Sequence, residues 1–454
     1  MPLPSSPSAS ALHPRLADET ARFERTHPRA GARHAAGGSG LLGGVPMPWM
    51  RRWPGGFPIV ASHAKGARLW DIDGHEYVDL CLGDTGAMTG HAPEAVVAAA
   101  SARLAQGTTL MLPTEDADVV GAELARRFGL PHWQITLSAT DANRSAIRMA
   151  RHATGRTKVL CFSYSYHGGV DETFAVTDAS GRTVAREHNV GPPVDVAETT
   201  RAVEFNDVEA LRAALDHGDV ACVIAEPAMT NMGIILPAPG FHEQLRELTR
   251  DAGTLLVIDE THTFSAGPGG ATALYGLQPD MLTIGKAIAG GIPAGALGLS
   301  DALAGRLLGD PTADLEDTGG IGGTLAGNAL SLAAMRAALT EVLTDEAFAR
   351  ATAIGDRLRA GIERTIEDHG LPWHAIQLGA RVEYRFTPTP PRNGTESHAC
   401  SEPELERFLH LHALNRGVLV TPFHNMLLAS PATTEADADR HTQVFAEAVQ
   451  ELLA

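Results

Sequence analysis

The chain has 454 residues and carries 36 Lys+Arg against 54 Asp+Glu, a formal net charge of −18, which argues against a nucleic-acid or anionic-membrane surface. Hydrophobic residues make up 44% and charged residues 20%, an ordinary globular balance that at this length implies two domains, or one large and one composite domain. No apolar run is long enough for a membrane helix, and the first residues lack the basic-then-apolar order of a secretory signal, so a soluble, cytoplasmic chain is expected.

The Pro/Ser-rich start reads as a tail, and residues up to about 34 read as helical, so 1–35 form an N-terminal tail and helix. Residues 36–80 form a segment joining the small domain. Its Gly/Pro-rich first half, with Trp49, Met50 and Trp53, is expected to be irregular and partly buried. Residues 59–80 read as a strand pair around Asp73-Gly74. From 81 to 334 apolar runs alternate with helical stretches. Residues 135–137, 159–162, 220–225 and 254–258 read as strands buried on both faces, and 141–152, 208–215 and 242–251 as helices. That alternation implies an α/β large domain with a mainly parallel sheet flanked by helices. A helix over 328–344 leads into 335–454, a smaller α+β domain with a strand over 380–386 and a loop over 387–393. Cys81, Cys161, Cys222 and Cys400 show no paired spacing and are expected to be reduced thiols.

Only three lysines occur, Lys65, Lys158 and Lys286, so 33 of the 36 basic residues are arginine. Arginine forms no Schiff base; a desolvated lysine does. Lys65 and Lys158 read as surface lysines. Lys286 follows an apolar stretch and precedes a small-residue, Gly-rich segment where a ligand can approach the backbone.

Ligands of open α/β sheets bind beyond the carboxyl ends of the strands. After 135–137 come Ser138, Ala139 and Thr140, opening a helix whose N-terminal N–H groups suit phosphate; a plain N-cap explains them equally well. After 159–162 come Tyr164, Tyr166, His167 and Gly168, where an aromatic ring stacks on a flat heterocycle or simply packs in a loop. After 220–225 comes Glu226. After 254–258 come Asp259, Glu260, Thr261 and His262. A carboxylate ending an apolar strand needs a partner, and a pyridinium N–H is a suitable one. Lys286 follows 27 residues after Asp259 (286 − 259).

The ordered motifs Tyr166-His167-Gly168, Ile258-Asp259-Glu260, Gly285-Lys286 with Gly290-Gly291, and Gly323-Thr324 with Gly327-Asn328 resemble the class III aminotransferases of fold type I. Within them the chain is similar to the branch holding glutamate-1-semialdehyde aminomutase and β-amino-acid aminotransferases, from about residue 43 to the C-terminus. The resemblance implies pyridoxal 5'-phosphate as cofactor, held as a Schiff base by Lys286, which then shuttles protons. Asp259 would pair with the pyridinium nitrogen. Tyr166 would stack on one ring face and Thr261 lie on the other, with His167 beside them. Ser138, Ala139 and Thr140 would form the phosphate turn. Glu226 would orient the ring hydroxyl side, and Thr324 would reach the neighbouring subunit's phosphate in a homodimer whose site lies at the interface.

The departures concern recognition. Ala139 stands where the family commonly has Gly, and His262 where it has Gln or Met; a lone histidine is either structural or turned to the ligand. The family's N-terminal carboxylate arginine falls on Pro48 or Met50, with Arg51 adjacent; Trp49, Met50 and Trp53 form an apolar wall of the pocket or simply pack. Its C-terminal counterpart is replaced around Phe423 and His424. Arg381, Glu383 and Arg385 alternate and share one strand face, expected to be solvated, with a carboxylate clamp through Arg381 as the alternative.

The leading expectation is an aminotransferase moving an amino group from an amine or amino acid to a 2-oxo acid, pyruvate or 2-oxoglutarate. An aminomutase, racemase or ammonia-lyase using the same carbanion is the alternative, and an idle cofactor-binding protein a third reading. A dehydrogenase is disfavoured, because the Gly-rich runs near 38–44 and 319–323 lack a strand–GxGxxG–helix context. No nucleic-acid, membrane or metal partner is expected.

Overall fold

The computed structural model describes residues 9–37, 40–192, 194–308 and 322–454. The first residues of the tail and parts of the two Gly-rich runs lie outside the described residues. The chain divides into two compact units, one of Met1–Pro93, Ala349–Pro390 and Cys400–Ala454, the other of Glu94–Phe348 and Pro391–Ala399.

Strands are numbered in chain order: β1 (Ala61–Lys65), β2 (Arg68–Asp71), β3 (Glu76–Asp79), β4 (His132–Thr136), β5 (Lys158–Phe162), β6 (Ala175–Thr177), β7 (Thr183–Ala185) and β8 (Thr200–Val203). Then follow β9 (Val220–Ala225), β10 (Leu255–Asp259), β11 (Met281–Ile284), β12 (Gly295–Leu299), β13 (His374–Leu378), β14 (Arg381–Arg385), β15 (Val418–Leu419) and β16 (Met426–Leu428).

The second unit is built on a seven-stranded sheet of order β4-β12-β11-β10-β9-β5-β8. From β11 to β8 every neighbour pairs in parallel; β12 runs antiparallel to both β11 and β4. The β9 run Val-Ala-Cys-Val-Ile-Ala is buried throughout because both faces are covered. Its alternate residues divide between two cores. Cys222 and Ile224 pack with Ala146, Ile147 and Ala150 of the helix Ala139–Thr154, and Val223 and Ala225 with Phe241 and Leu245 of the helix Phe241–Asp251.

Two expectations are corrected in this unit. The strand read at 135–137 lies at His132–Thr136 and is not buried on both faces; it is the antiparallel edge, alternately exposed and half-buried. An edge strand has a neighbour on one side only, which its composition does not report. The helix read over 328–344 is α-helical over Ala329–Ala337 and widens to a π-turn over Ala338–Val342. Buried Arg127 donates to the carbonyls of Leu339 and Leu343 there, at 2.7 and 2.8 Å, and its other arm reaches Pro268 O at 2.9 Å. The segment before Lys286 proves to be a strand, β11, which carries that lysine to the sheet's end.

In the first unit the strand pair read over 59–80 is a three-stranded meander, β1-β2-β3, with β15 parallel to β3. Gly66 turns β1 into β2, and Gly74 lies in the turn from β2 to β3. A second sheet has the order β13-β14-β16. The face read as solvated is not: Arg381, Glu383 and Arg385 are 1%, 0% and 5% exposed. β14 lies between two strands with both faces covered, so Val382 and Tyr384 on the other face are buried as well. No described helix is long and apolar enough to cross a membrane, and all four cysteines are free thiols.

Candidate active site

The carboxyl ends of the parallel strands in the second unit gather a buried polar network. Asp259, the last residue of β10, is 3% exposed. Its Oδ2 accepts from His167 Nδ1 at 2.9 Å and from Asn143 Nδ2 at 2.8 Å, and its Oδ1 from the Thr261 N–H at 3.0 Å. Burial pushes the carboxyl up, but His167, Thr261 and Asn143 outweigh it and hold the group below the usual carboxylate range. Asn143 is itself fixed: its amide also donates to His167 O at 3.0 Å, and its carbonyl accepts from Thr283 Oγ1 of β11 at 2.6 Å.

Sequence reasoning missed Asn143 and Thr283. The signal for Asn143 was present. It shares a buried stripe with Ala146, Ile147 and Ala150, where an amide has no reason to sit without partners.

Two further carboxyls lie at these strand ends. Glu226, just past β9, accepts from the Thr230 hydroxyl and from Thr230 N at 3.3 Å. Burial pushes it up to about 7, against the pull of His167 and Thr230. Glu260 accepts from Thr263 Oγ1 at 2.6 Å, Ala271 N at 3.3 Å and Thr272 N, so it braces the turn that carries Thr261 and His262; burial raises it too. The Thr261 hydroxyl and His167 Nε2 are buried without hydrogen-bond partners among the described residues.

Ser138, Ala139 and Thr140 open the helix Ala139–Thr154. Ser138 is the N-cap: its Oγ accepts from Asp141 N at 3.3 Å and donates to Asp141 Oδ2 at 2.9 Å. Ala139 sits at the first helical position, so exchanging the family's Gly for Ala asks for no left-handed backbone. Glycines let the neighbouring chain come close. A Cβ on Gly285 would lie 2.9 Å from Ala139 N, and one on Gly168 would collide with the Thr140 hydroxyl. The turn is a concavity of backbone N–H groups at the positive end of a 16-residue helix.

Lys286 follows Gly285 with φ +50, a left-handed conformation that a non-glycine residue holds only when its surroundings impose it. The next three residues, Ala287, Ile288 and Ala289, are fully buried. The Lys286 Nζ lies 2.8 Å from His262 Nε2, so the imidazole faces that amine. Of the other lysines, Lys65 is exposed and Lys158 donates to Ala197 O at 2.7 Å.

Tyr166 is half-buried, its ring 6.2 Å from that of Phe174. Tyr164 is committed elsewhere, stacked on His398 at 4.6 Å. Thr324 is exposed and lines a hollow with Leu110, Met111 and Leu112.

The remaining candidates belong to the first unit. Trp49 packs 5.4 Å from Phe423, whose ring is 5.1 Å from His424. Arg51 is exposed beside Gly43. Arg381 donates to the Thr85 hydroxyl. That threonine ends a turn in which Leu82, Asp84 and Thr85 have φ of +46, +51 and +81, three left-handed non-glycine residues within four positions.

The family model described as "Aminotransferase class-III" matches residues 50–449. A curated relative, glutamate-1-semialdehyde 2,1-aminomutase 2 of Bacillus cereus (strain AH187), is 34% identical over 399 residues, 86% of this chain and 90% of its own. Among solved structures, a glutamate-1-semialdehyde-aminomutase from Pseudomonas aeruginosa PAO1 superposes with a TM-score of 0.95 at 49% identity, covering 98% of this chain and 100% of that one. A β-phenylalanine aminotransferase from Variovorax paradoxus gives 0.85 at 28% identity, covering 97% of each chain.

Proposed function

The chain belongs to the class-III aminotransferase family, a fold type I group of pyridoxal-phosphate enzymes, and from that premise we propose that it moves an amino group within a single small amino-carbonyl substrate, with Lys286 as the cofactor-bearing lysine. The observation that carries the reading is the grouping of Asp259, Lys286 and the Ser138–Thr140 turn at the sheet's carboxyl end. The residues present fit the cofactor. The helix start offers N–H groups for phosphate, the Asp259 carboxylate is held ionised for a ring N–H, and Lys286 is the half-buried amine beside them.

When bound, pyridoxal phosphate supplies an electron-withdrawing ring that stabilises the carbanion left by a departing Cα proton. The chain does the rest. Asp259 keeps a negative charge where the ring nitrogen needs one. Asn143 and His167 keep Asp259 ionised and oriented. Tyr166 and Thr261 would bound the two ring faces, and Glu226 would lie on the ring hydroxyl side. Lys286 Nζ takes and returns the substrate proton.

Likeness to the aminomutases, at 34% and 49% identity, supports the intramolecular outcome. A second reading, transfer to a separate 2-oxo acid, is supported by likeness to the β-phenylalanine aminotransferase. In both readings the protein is a homodimer whose Thr324 serves the neighbouring subunit. The 77% and 73% exposure of Met111 and Leu112 beside Thr324 supports such a covered face.

A screen of amino-carbonyl compounds and amines, followed by cofactor absorbance and product analysis with and without 2-oxo acid, tests the reading. Stoichiometric product without 2-oxo acid is expected. An absolute requirement for 2-oxo acid transfers the case to the second reading, and wild-type turnover by Lys286→Ala overturns both.

A further inference from the structure

His262 is placed with unusual firmness for a side chain that the family does not require. Its backbone follows the Glu260 brace, and its carbonyl accepts from Ser265 Oγ at 2.9 Å, Ser265 being fully buried. That turn sets the ring, whose Nε2 lies 2.8 Å from Lys286 Nζ. Two nitrogen bases at this distance share a proton between them, and two positive charges so close oppose each other.

We propose that His262 is the positioning and proton-accepting partner of the Lys286 amine in every state where that amine is not bonded to the cofactor. The step is a proton exchange. An N–H bond of the ammonium breaks at Nζ and an N–H bond forms at Nε2, leaving a lone pair on Nζ and the pair's total charge unchanged. The lone pair is what Lys286 needs, either to bond a carbonyl carbon or to take a substrate proton. The reverse transfer restores the start. Glutamine or methionine at this position accepts no proton, so the histidine adds a function rather than replacing one.

The other ionisable groups at these strand ends are engaged elsewhere: Asp259 with His167 and Asn143, Glu260 with Thr263 and the 271–272 backbone, Glu226 with Thr230. This inference rests on Lys286 being the cofactor lysine, but its test does not depend on turnover.

The full-length chain, stripped of cofactor, is trace-labelled with acetic anhydride at neutral pH, and the three lysines are quantified by peptide mass spectrometry. Exposed Lys65 is the internal standard. In His262→Gln, whose amide oxygen still accepts from the amine but takes no proton, the Lys286:Lys65 labelling ratio is expected to fall about tenfold; His262→Phe is expected to fall at least as far. An unchanged ratio in both variants overturns the proposal. A ratio that falls in His262→Phe but not in His262→Gln leaves positioning alone and overturns proton acceptance. The reading of function fails separately, if the wild-type chain takes up no pyridoxal phosphate.

Discussion

Asn143→Leu is the sharpest probe of how the site is held together. The two side chains are close in size, so the change removes hydrogen bonds with little change of volume. Three bonds go: the one to ionised Asp259 Oδ2 at 2.8 Å, the one to His167 O at 3.0 Å and the one from Thr283 Oγ1 at 2.6 Å. A bond to a charged group contributes roughly 1.5–3 kcal/mol and each neutral bond roughly 0.5–1.5 kcal/mol. Added apolar surface offsets about 1–2 kcal/mol, leaving a net loss of about 3 kcal/mol. For a unit of this size that is a fall in melting temperature of roughly 6–12 °C. Asp259 also loses one of the donors that keep it ionised, so cofactor is expected to leave the variant faster on dialysis than its stability loss explains. Thermal melts with and without added pyridoxal phosphate, and absorbance after dialysis, measure the two effects. A variant melting within about 1 °C of the wild type and retaining its cofactor would refute the view that Asn143 organises the Asp259 carboxylate.

Gly285→Ala places a Cβ 2.9 Å from Ala139 N with φ still allowed; it is expected to weaken cofactor binding at least about tenfold, or 1.4 kcal/mol, in an equilibrium titration, and unaltered affinity would remove the Ser138–Thr140 turn from the phosphate site. Glu383 has both carboxylate oxygens buried without hydrogen-bond partners among the described residues, and burial raises it to about 7 against the pull of Arg385 and Arg381. A raised acid costs stability progressively as pH climbs from its unfolded value, 4.5, to its folded one. Glu383→Gln removes that slope, so relative to the wild type it is expected to gain stability of order 3 kcal/mol between pH 4.5 and 8, read from urea midpoints; an equal offset at both pH values would show the carboxyl to be ionised throughout. Met111→Glu puts a charge on the exposed apolar face beside Thr324 and is expected to dissociate the proposed dimer and lower cofactor retention together, measured by sedimentation and absorbance. A dimer of undiminished affinity would locate the subunit contact elsewhere.

What could be read in the sequence followed from how locally each feature is determined. β9 was legible to the residue, because six consecutive apolar side chains leave no alternative to a strand covered on both faces. The strand-end place of Asp259 and the partly buried setting of Lys286 were legible, since a carboxylate ending an apolar strand and a lysine in a lysine-poor chain each demand a reason. The parallel sense of most of the sheet followed from alternation with helices. The antiparallel turn of β12 did not, because Gly-Ala-Leu-Gly-Leu states no direction; its register against β4 and β11 comes from partners far away in the chain. Arg381, Glu383 and Arg385 misled for a related reason. Alternating charge on a strand signals water only if nothing covers that face, and here β14 lies between β13 and β16 with both faces covered.

Asn143 and His262 mark a more useful boundary. Each stands out against its position: an amide on an apolar helical stripe, an imidazole where the resemblance implies Gln or Met. They touch Asp259 and Lys286, the two residues at the centre of the proposed site. A local conflict between residue type and position is therefore informative about function even before any partner is known, because burying or fixing such a group costs free energy that only a specific contact repays. In this chain the residues obeying the local pattern build the sheet, and those breaking it control the carboxylate and the amine that the sheet presents.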